Sequence, residues 1–148
     1  MVNEIEASFP KLRRSTYRVT SPRTREYNCI AWAATDVSRW WWPDDDPSDD
    51  VPYWPPGVAR EETLPAFRAA FASLGYVPCA TEEGFEKVAL FTDAARVPTH
   101  AARQLANEHW TSKLGFLEDI EHKLHDLEGA TYGVVTQILR REIAESTS

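Results

Sequence analysis

The sequence predicts an α+β domain with a mostly antiparallel sheet, and three observations carry that expectation. Apolar residues recur with helical spacing up to residue 74, and beyond it they mostly alternate or run together as in strands. A short polar break between two of the later runs is of hairpin length, which joins neighbouring strands antiparallel. The 148 residues, 43% of them apolar, suit one domain with a single sizeable core.

Residues 1–26 hold six basic side chains, Lys11, Arg13, Arg14, Arg18, Arg23 and Arg25, without a helical period. They read as a basic extended arm, solvated, with one short strand at 16–20. A helix is expected over 28–39. Asn28 is a good N-cap, because its side-chain oxygen can accept from N–H groups that the first turn leaves free, and Ile30, Ala33, Ala34 and Val37 keep three-to-four spacing. Residues 43–56 (PDDDPSDDVPYWPP) carry five of the ten prolines and five aspartates. Fixed φ angles and missing N–H donors exclude a helix or central strand there, so a long loop is expected, with Tyr53 and Trp54 packing back onto the body. Leu64, Phe67, Phe71 and Leu74 form one stripe of a helix over 63–74, which Gly75 suits as its terminator. Strands are predicted at 76–80, 85–92, 99–105 and 109–114, the last two around the turn Ala106-Asn107-Glu108. Leu117, Ile120, Leu124 and Leu127 predict a last short helix ended by Gly129, before a final strand at 132–140.

Sixteen basic against twenty-three acidic residues leave a net charge of −7, which disfavours a nucleic-acid groove or an anionic membrane surface as partner. The charge also fits an acidic, immunity-like partner for a basic protein, with no other feature in its support. Two cysteines, Cys29 and Cys79, make no disulfide framework. The first residues lack a basic stretch followed by an apolar one, and no apolar run is long enough to span a membrane. The expectation is a soluble cytoplasmic protein; nothing in the sequence speaks to oligomeric state.

Cys29 is the first candidate for chemistry. In the first turn of a helix capped by Asn28, free N–H groups and the helix dipole favour a thiolate, and the backbone N–H of Cys29 is placed to meet an oxyanion. The alternative is a cysteine buried as a small apolar residue. A base must accompany the thiol. Of His100, His109, His122 and His125, His100 lies on a predicted strand, and a turn centred near Asn107 brings it opposite residues 112–114, where Ser112 offers an oxygen. Asp119 is the other candidate for the third, orienting group.

These residues stand in the stretches Tyr27-Asn-Cys-Ile-Ala-Trp-Ala33, Thr99-His-Ala-Ala-Arg103, Trp110-Thr-Ser-Lys-Leu-Gly115 and Asp119-Ile-Glu-His122. Together they resemble an uncharacterised bacterial domain family, over nearly the whole chain. Through the order cysteine helix, second helix, histidine strand and adjacent strand, that family in turn resembles the papain-like superfamily, CHAP-type amidases included. The resemblance implies N-terminal helices packed on a mostly antiparallel sheet, with Cys29 as nucleophile and His100 as base. The implied function is a papain-like cysteine hydrolase or acyltransferase acting on an amide or ester through a Cys29–His100 dyad, assisted by Ser112, on a peptide or a small amide-containing substrate. The alternative is a non-catalytic module of the same fold that binds a protein or peptide through the Trp/Asp-rich loop.

Aromatic residues near Cys29 form a candidate wall for either function, with Asn28, Trp32, Trp41 and Trp54 as the substrate contacts. His122 and His125 have ligand spacing on the expected helix, yet Glu118, Glu121 and Asp126 make it an ordinary charged face, so no metal site is expected. The six glycines are scattered singly, so no phosphate loop and no cofactor are expected.

Overall fold

The computed structural model of the chain describes residues 4–43, 52–79, 84–115 and 117–142. Among the described residues seven strands form one sheet: β1 (Arg18–Ser21), β2 (Val77–Cys79), β3 (Phe85–Thr92), β4 (Pro98–Gln104), β5 (Trp110–Lys113), β6 (Asp119–His122) and β7 (Val134–Glu142). Their spatial order is β1-β6-β5-β4-β3-β7-β2, and every neighbouring pair is antiparallel. Among the described residues the helices are α1 (Glu4–Ser8), α2 (Cys29–Ala33) and α3 (Leu64–Ala72), with 3-10 turns at Pro10–Arg14 and Leu124–Leu127.

This architecture overturns the papain-like expectation. The molecule is mostly a seven-stranded antiparallel sheet with few helices, not a helical half packed on a sheet in the papain-like arrangement. Two local causes shrink the helical content. Asn28 does cap α2, accepting from the N–H of Ala31, but the helix ends five residues on, where Thr35 turns to φ 63°. Asp36 then ties down the chain that was expected to continue as helix. Its carboxylate accepts from Ser38, Arg39 and the indole of Trp41, and despite partial burial these bonds hold its pKa below the usual carboxylate range. The second cause lies at 119–122, where a strand replaces the expected helix. Ile120 pairs with Val19 on one side and Ser112 on the other, so this segment fills the slot between β1 and β5. Leu127 still reaches the core, but from the 3-10 turn after the strand.

The sheet is covered on both faces, which explains why residues 88–91 of β3 read as a continuous apolar run. Val88 and Leu90 of β3 face a core shared with α2, α3 and Trp54; Ala89 and Phe91 face a second core with Ile5, Phe9, Leu12 and Leu127. The stretch expected as a solvated arm thus contributes Ile5, Phe9 and Leu12 to that second core, because α1 and the following 3-10 turn fold across the sheet. Helix α3 begins at the cap Thr63, whose hydroxyl accepts from the N–H of Ala66, and it buries Phe67 and Phe71. The aspartate-rich centre of the expected loop, residues 44–51, lies outside the described residues. On its far side Trp54 is buried against Phe67, with ring centroids 5.2 Å apart.

The two rim strands are short. On one rim, β1 has an irregular register between Val19 and Ser21; on the other, β2 has three residues and Pro78 at its centre. No helix among the described residues is long and apolar enough to cross a membrane.

Candidate functional site

Cys29 opens α2 where that helix packs on β4 and β5. The ladder between those strands is formed at Arg103–Thr111 and Gln104–Trp110, and the paired register stops there, short of His100. The Cys29 thiol lies beside the unpaired stretch and feels the backbone N–H groups of Ala101, Ile30 and Cys29 itself. With Trp40, Trp42, Pro52, Thr99 and Tyr132 it lines an open cleft of about 370 Å³, whose rim also includes Asn28 and Gly115.

The surroundings of Cys29 work against the expected thiolate. Burial, with only 8% of the residue exposed, pushes the Cys29 thiol up to about 11. The surrounding N–H groups and the nearby Lys113 pull the other way without overcoming it. A helix of five residues aligns few peptide dipoles, so desolvation wins. Lys113 itself is buried, its ammonium donating to the carbonyls of Gly115 and Leu117 and standing 5.8 Å from the Tyr27 ring centroid. Tyr27 in turn donates to Asp119 at 2.5 Å. Burial raises the pKa of Asp119, whose Oδ2 accepts from Tyr27 while its Oδ1 is buried without a hydrogen-bond partner.

His100 is fully buried. Its ring stacks on Tyr132 with centroids 4.0 Å apart and meets Phe91, its partner across the ladder, edge-on at 5.1 Å. Nε2 of His100 lies 2.9 Å from the Ser112 hydroxyl, whereas Nδ1 is buried without a hydrogen-bond partner. No hydrogen bond joins His100 to Cys29. The next residue along β4, Ala101, packs in the helix-side core with Cys29, and Tyr132 adjoins both, lining the cleft and covering the imidazole. Ser112 also contacts His122, 2.7 Å from its Nε2, a neighbour concealed in the sequence by the expected helix. Read with strand spacing, Ile120 and His122 would have fallen on one face, the face that carries Ser112.

The remaining aromatic candidates separate. Trp40 and Trp42 wall the cleft, while Trp41 and Trp54 are buried in the core. Trp41 sits 4.8 Å from Tyr53, and its backbone is held by the Asn28 side chain, which accepts from the Trp41 N–H and donates to the Trp41 carbonyl. Trp32 stacks on Tyr27 and donates its indole N–H to Thr111, a role in fixing α2 to β5. Among the described residues no group of three or more His, Cys, Asp or Glu side chains is arranged to hold a metal ion.

No curated protein and no solved structure matches the chain. A family profile does match, over residues 18–140, from the first sheet strand to the body of the last, and it takes in every residue of the cleft. The chain therefore belongs to a domain family of unknown function, DUF7689.

Proposed function

We propose that the cleft is a site of cysteine-dependent acyl transfer or hydrolysis on an amide or ester. The observation that carries this reading is the placement of the Cys29 thiol in the cleft wall among three backbone N–H groups, which suit a sulfur nucleophile and the oxyanion that its attack creates. In this scheme the thiol stays protonated until substrate arrives. Sulfur attacks the carbonyl carbon as its proton passes to Nδ1 of His100. Because that ring lies on the second-core face of β4 and Cys29 on the other, the transfer requires the unpaired ends of β4 and β5 to part when substrate binds. The tetrahedral intermediate collapses, the bond to the leaving amine or alcohol breaks, and His100 returns the proton to that group. Water, or a second amine, then cleaves the thioester. A general-base route of this kind suits two groups that are both neutral at rest, and catalytic contacts that are loose in the free protein tighten when substrate binds.

A second reading rests on the same pKa. A thiol held neutral beneath Trp40 and Trp42 also suits a cleft that only binds, with an apolar peptide side chain as occupant. Treatment with p-nitrophenyl acetate followed by intact-protein mass spectrometry separates the two. Acyl transfer gives one acetyl group, mapped to Cys29, absent from Cys29→Ala and formed more slowly in His100→Ala. An adduct spread over surface lysines, or ester turnover unchanged in Cys29→Ala, would leave the binding module as the better account.

A further inference from the structure

We propose that His122, acting through Ser112, is the positioning residue that fixes the tautomer of His100 and leaves its Nδ1 as a bare lone pair. The inference deepens the acyl-transfer reading and rests on it for the use made of that nitrogen. The chain of bonds itself follows from which atoms can donate. The backbone carbonyl of Lys123 can only accept, so Nδ1 of His122, 2.8 Å away, carries that ring's proton. Nε2 of a neutral His122 is then an acceptor, and the Ser112 hydroxyl, 2.7 Å from it, must give it its one hydrogen. Ser112 has only lone pairs left for Nε2 of His100 at 2.9 Å, so that nitrogen bears the proton. Nδ1 of His100 is the atom left over, and it is the one buried without a partner.

The direction of the chain cannot be reversed while both rings are neutral. Ser112 has one hydrogen and two imidazole neighbours, so one ring must donate to it, and the Lys123 carbonyl makes His122 the ring that receives. Burial keeps both rings neutral near pH 7, lowering His100 well below its usual range and His122 to about 4. The strand register keeps the three side chains together. Ser112 pairs with Ile120 and Trp110 with His122, so Ser112 and His122 are diagonal neighbours on one face of β5 and β6. All three side chains are at most 1% exposed, so water does not compete for these bonds. For the proposed chemistry the consequence is specific: the nitrogen free to take a proton is Nδ1, on the side of the ring away from Ser112.

Long-range ¹H–¹⁵N correlation on histidine-labelled protein reads the tautomers directly. In the wild-type protein His100 should show a protonated Nε2 and an unprotonated Nδ1, with His122 the reverse. In His122→Gln the amide oxygen keeps an acceptor near the former Nε2, and His100 should keep its tautomer. In His122→Leu the acceptor is gone, Ser112 is free to donate to His100, and the Nδ1-protonated form should become the major one. A wild-type His100 protonated on Nδ1 would overturn the proposal, and so would a His122→Leu spectrum identical to the parent. Should the leucine variant fail to fold, the wild-type spectrum and the glutamine variant still decide. The acyl-transfer reading fails separately. If the tautomer flips in His122→Leu while acetylation of Cys29 is unchanged, the relay stands and His100 is not the base.

Discussion

Acid should destabilise this protein well above the range in which carboxylates titrate, because two imidazoles are sealed in its second core. The sign follows from proton binding. An unfolded His122 takes up a proton near its ordinary 6.5, whereas the folded one stays neutral down to about 4. Between those values the unfolded chain binds more protons, so stability falls as pH falls. At about 1.4 kcal/mol per pH unit, His122 alone removes about 2 kcal/mol between pH 7 and pH 5, and about 3 by pH 4. His100, also depressed by burial, adds to the loss. Asp119 works in the other direction: its raised pKa means the folded state takes up a proton first, which offsets part of the loss. Comparison with His122→Gln separates the share of Asp119 from that of the histidine, which changes steeply over the interval from pH 6.5 to pH 5. Urea unfolding at half-unit steps should show a midpoint falling steadily across it. His122→Gln should be less steep by roughly the share just assigned to His122. A flat stability over that interval, or an equal slope in His122→Gln, would mean that these rings are hydrated or already charged.

The thiol and the glycine of the final turn give two further tests. With its pKa moved from 9.0 to about 11, Cys29 at pH 8 holds about a hundredfold less thiolate than an ordinary cysteine, and its alkylation by iodoacetamide should still rise about tenfold per unit at pH 10. A plateau below pH 9 would show an ion pair at the site instead. Gly133 has φ +79°, and a Cβ there would collide with the carbonyl oxygen of Thr92 at the end of β3. Gly133→Ala should cost about 2–4 kcal/mol by denaturant titration, combining left-handed strain with a displaced strand end. A cost under about 1 kcal/mol would mean that the turn moves freely.

What could be read in advance depended on how local the deciding force was. The 85–92 strand was legible because its apolar centre, 88–91, is buried on both faces and the segment is short for a buried helix. The cap at Asn28 was legible because a cap is settled within three residues, whereas Thr63, read as the first helical residue, turned out to be the cap of α3. The length of α2 was not, because Asp36 stops it with bonds to Arg39 and to the indole of Trp41. Nor was the strand at 119–122: its apolar spacing satisfies a helix equally well, and only the vacant slot between β1 and β5 decides. That one misassignment concealed His122. The contact of His100 with Ser112 was within reach of hairpin counting, but the second imidazole behind Ser112 required a strand where a helix was expected. The aromatic wall was half legible. The run Trp40-Trp41-Trp42 is at the cleft, yet alternation along an extended segment sends Trp41 inward and its two neighbours out.

The blunt rims of the sheet limit how this molecule can meet another chain. An extended peptide joins a sheet by matching a row of free backbone donors and acceptors, and neither rim strand offers a long one. On β2 the row is three residues with Pro78 lacking its N–H; on β1 it is four residues, interrupted between Val19 and Ser21 and carrying Arg18. The two rim strands are therefore poor templates for strand addition, and for the runaway version of it that ends in fibrils. A peptide that engages the cleft meets the indoles of Trp40 and Trp42, suited to an apolar residue, and the backbone N–H groups around Cys29. Selectivity then resides largely in the shape of one residue's pocket.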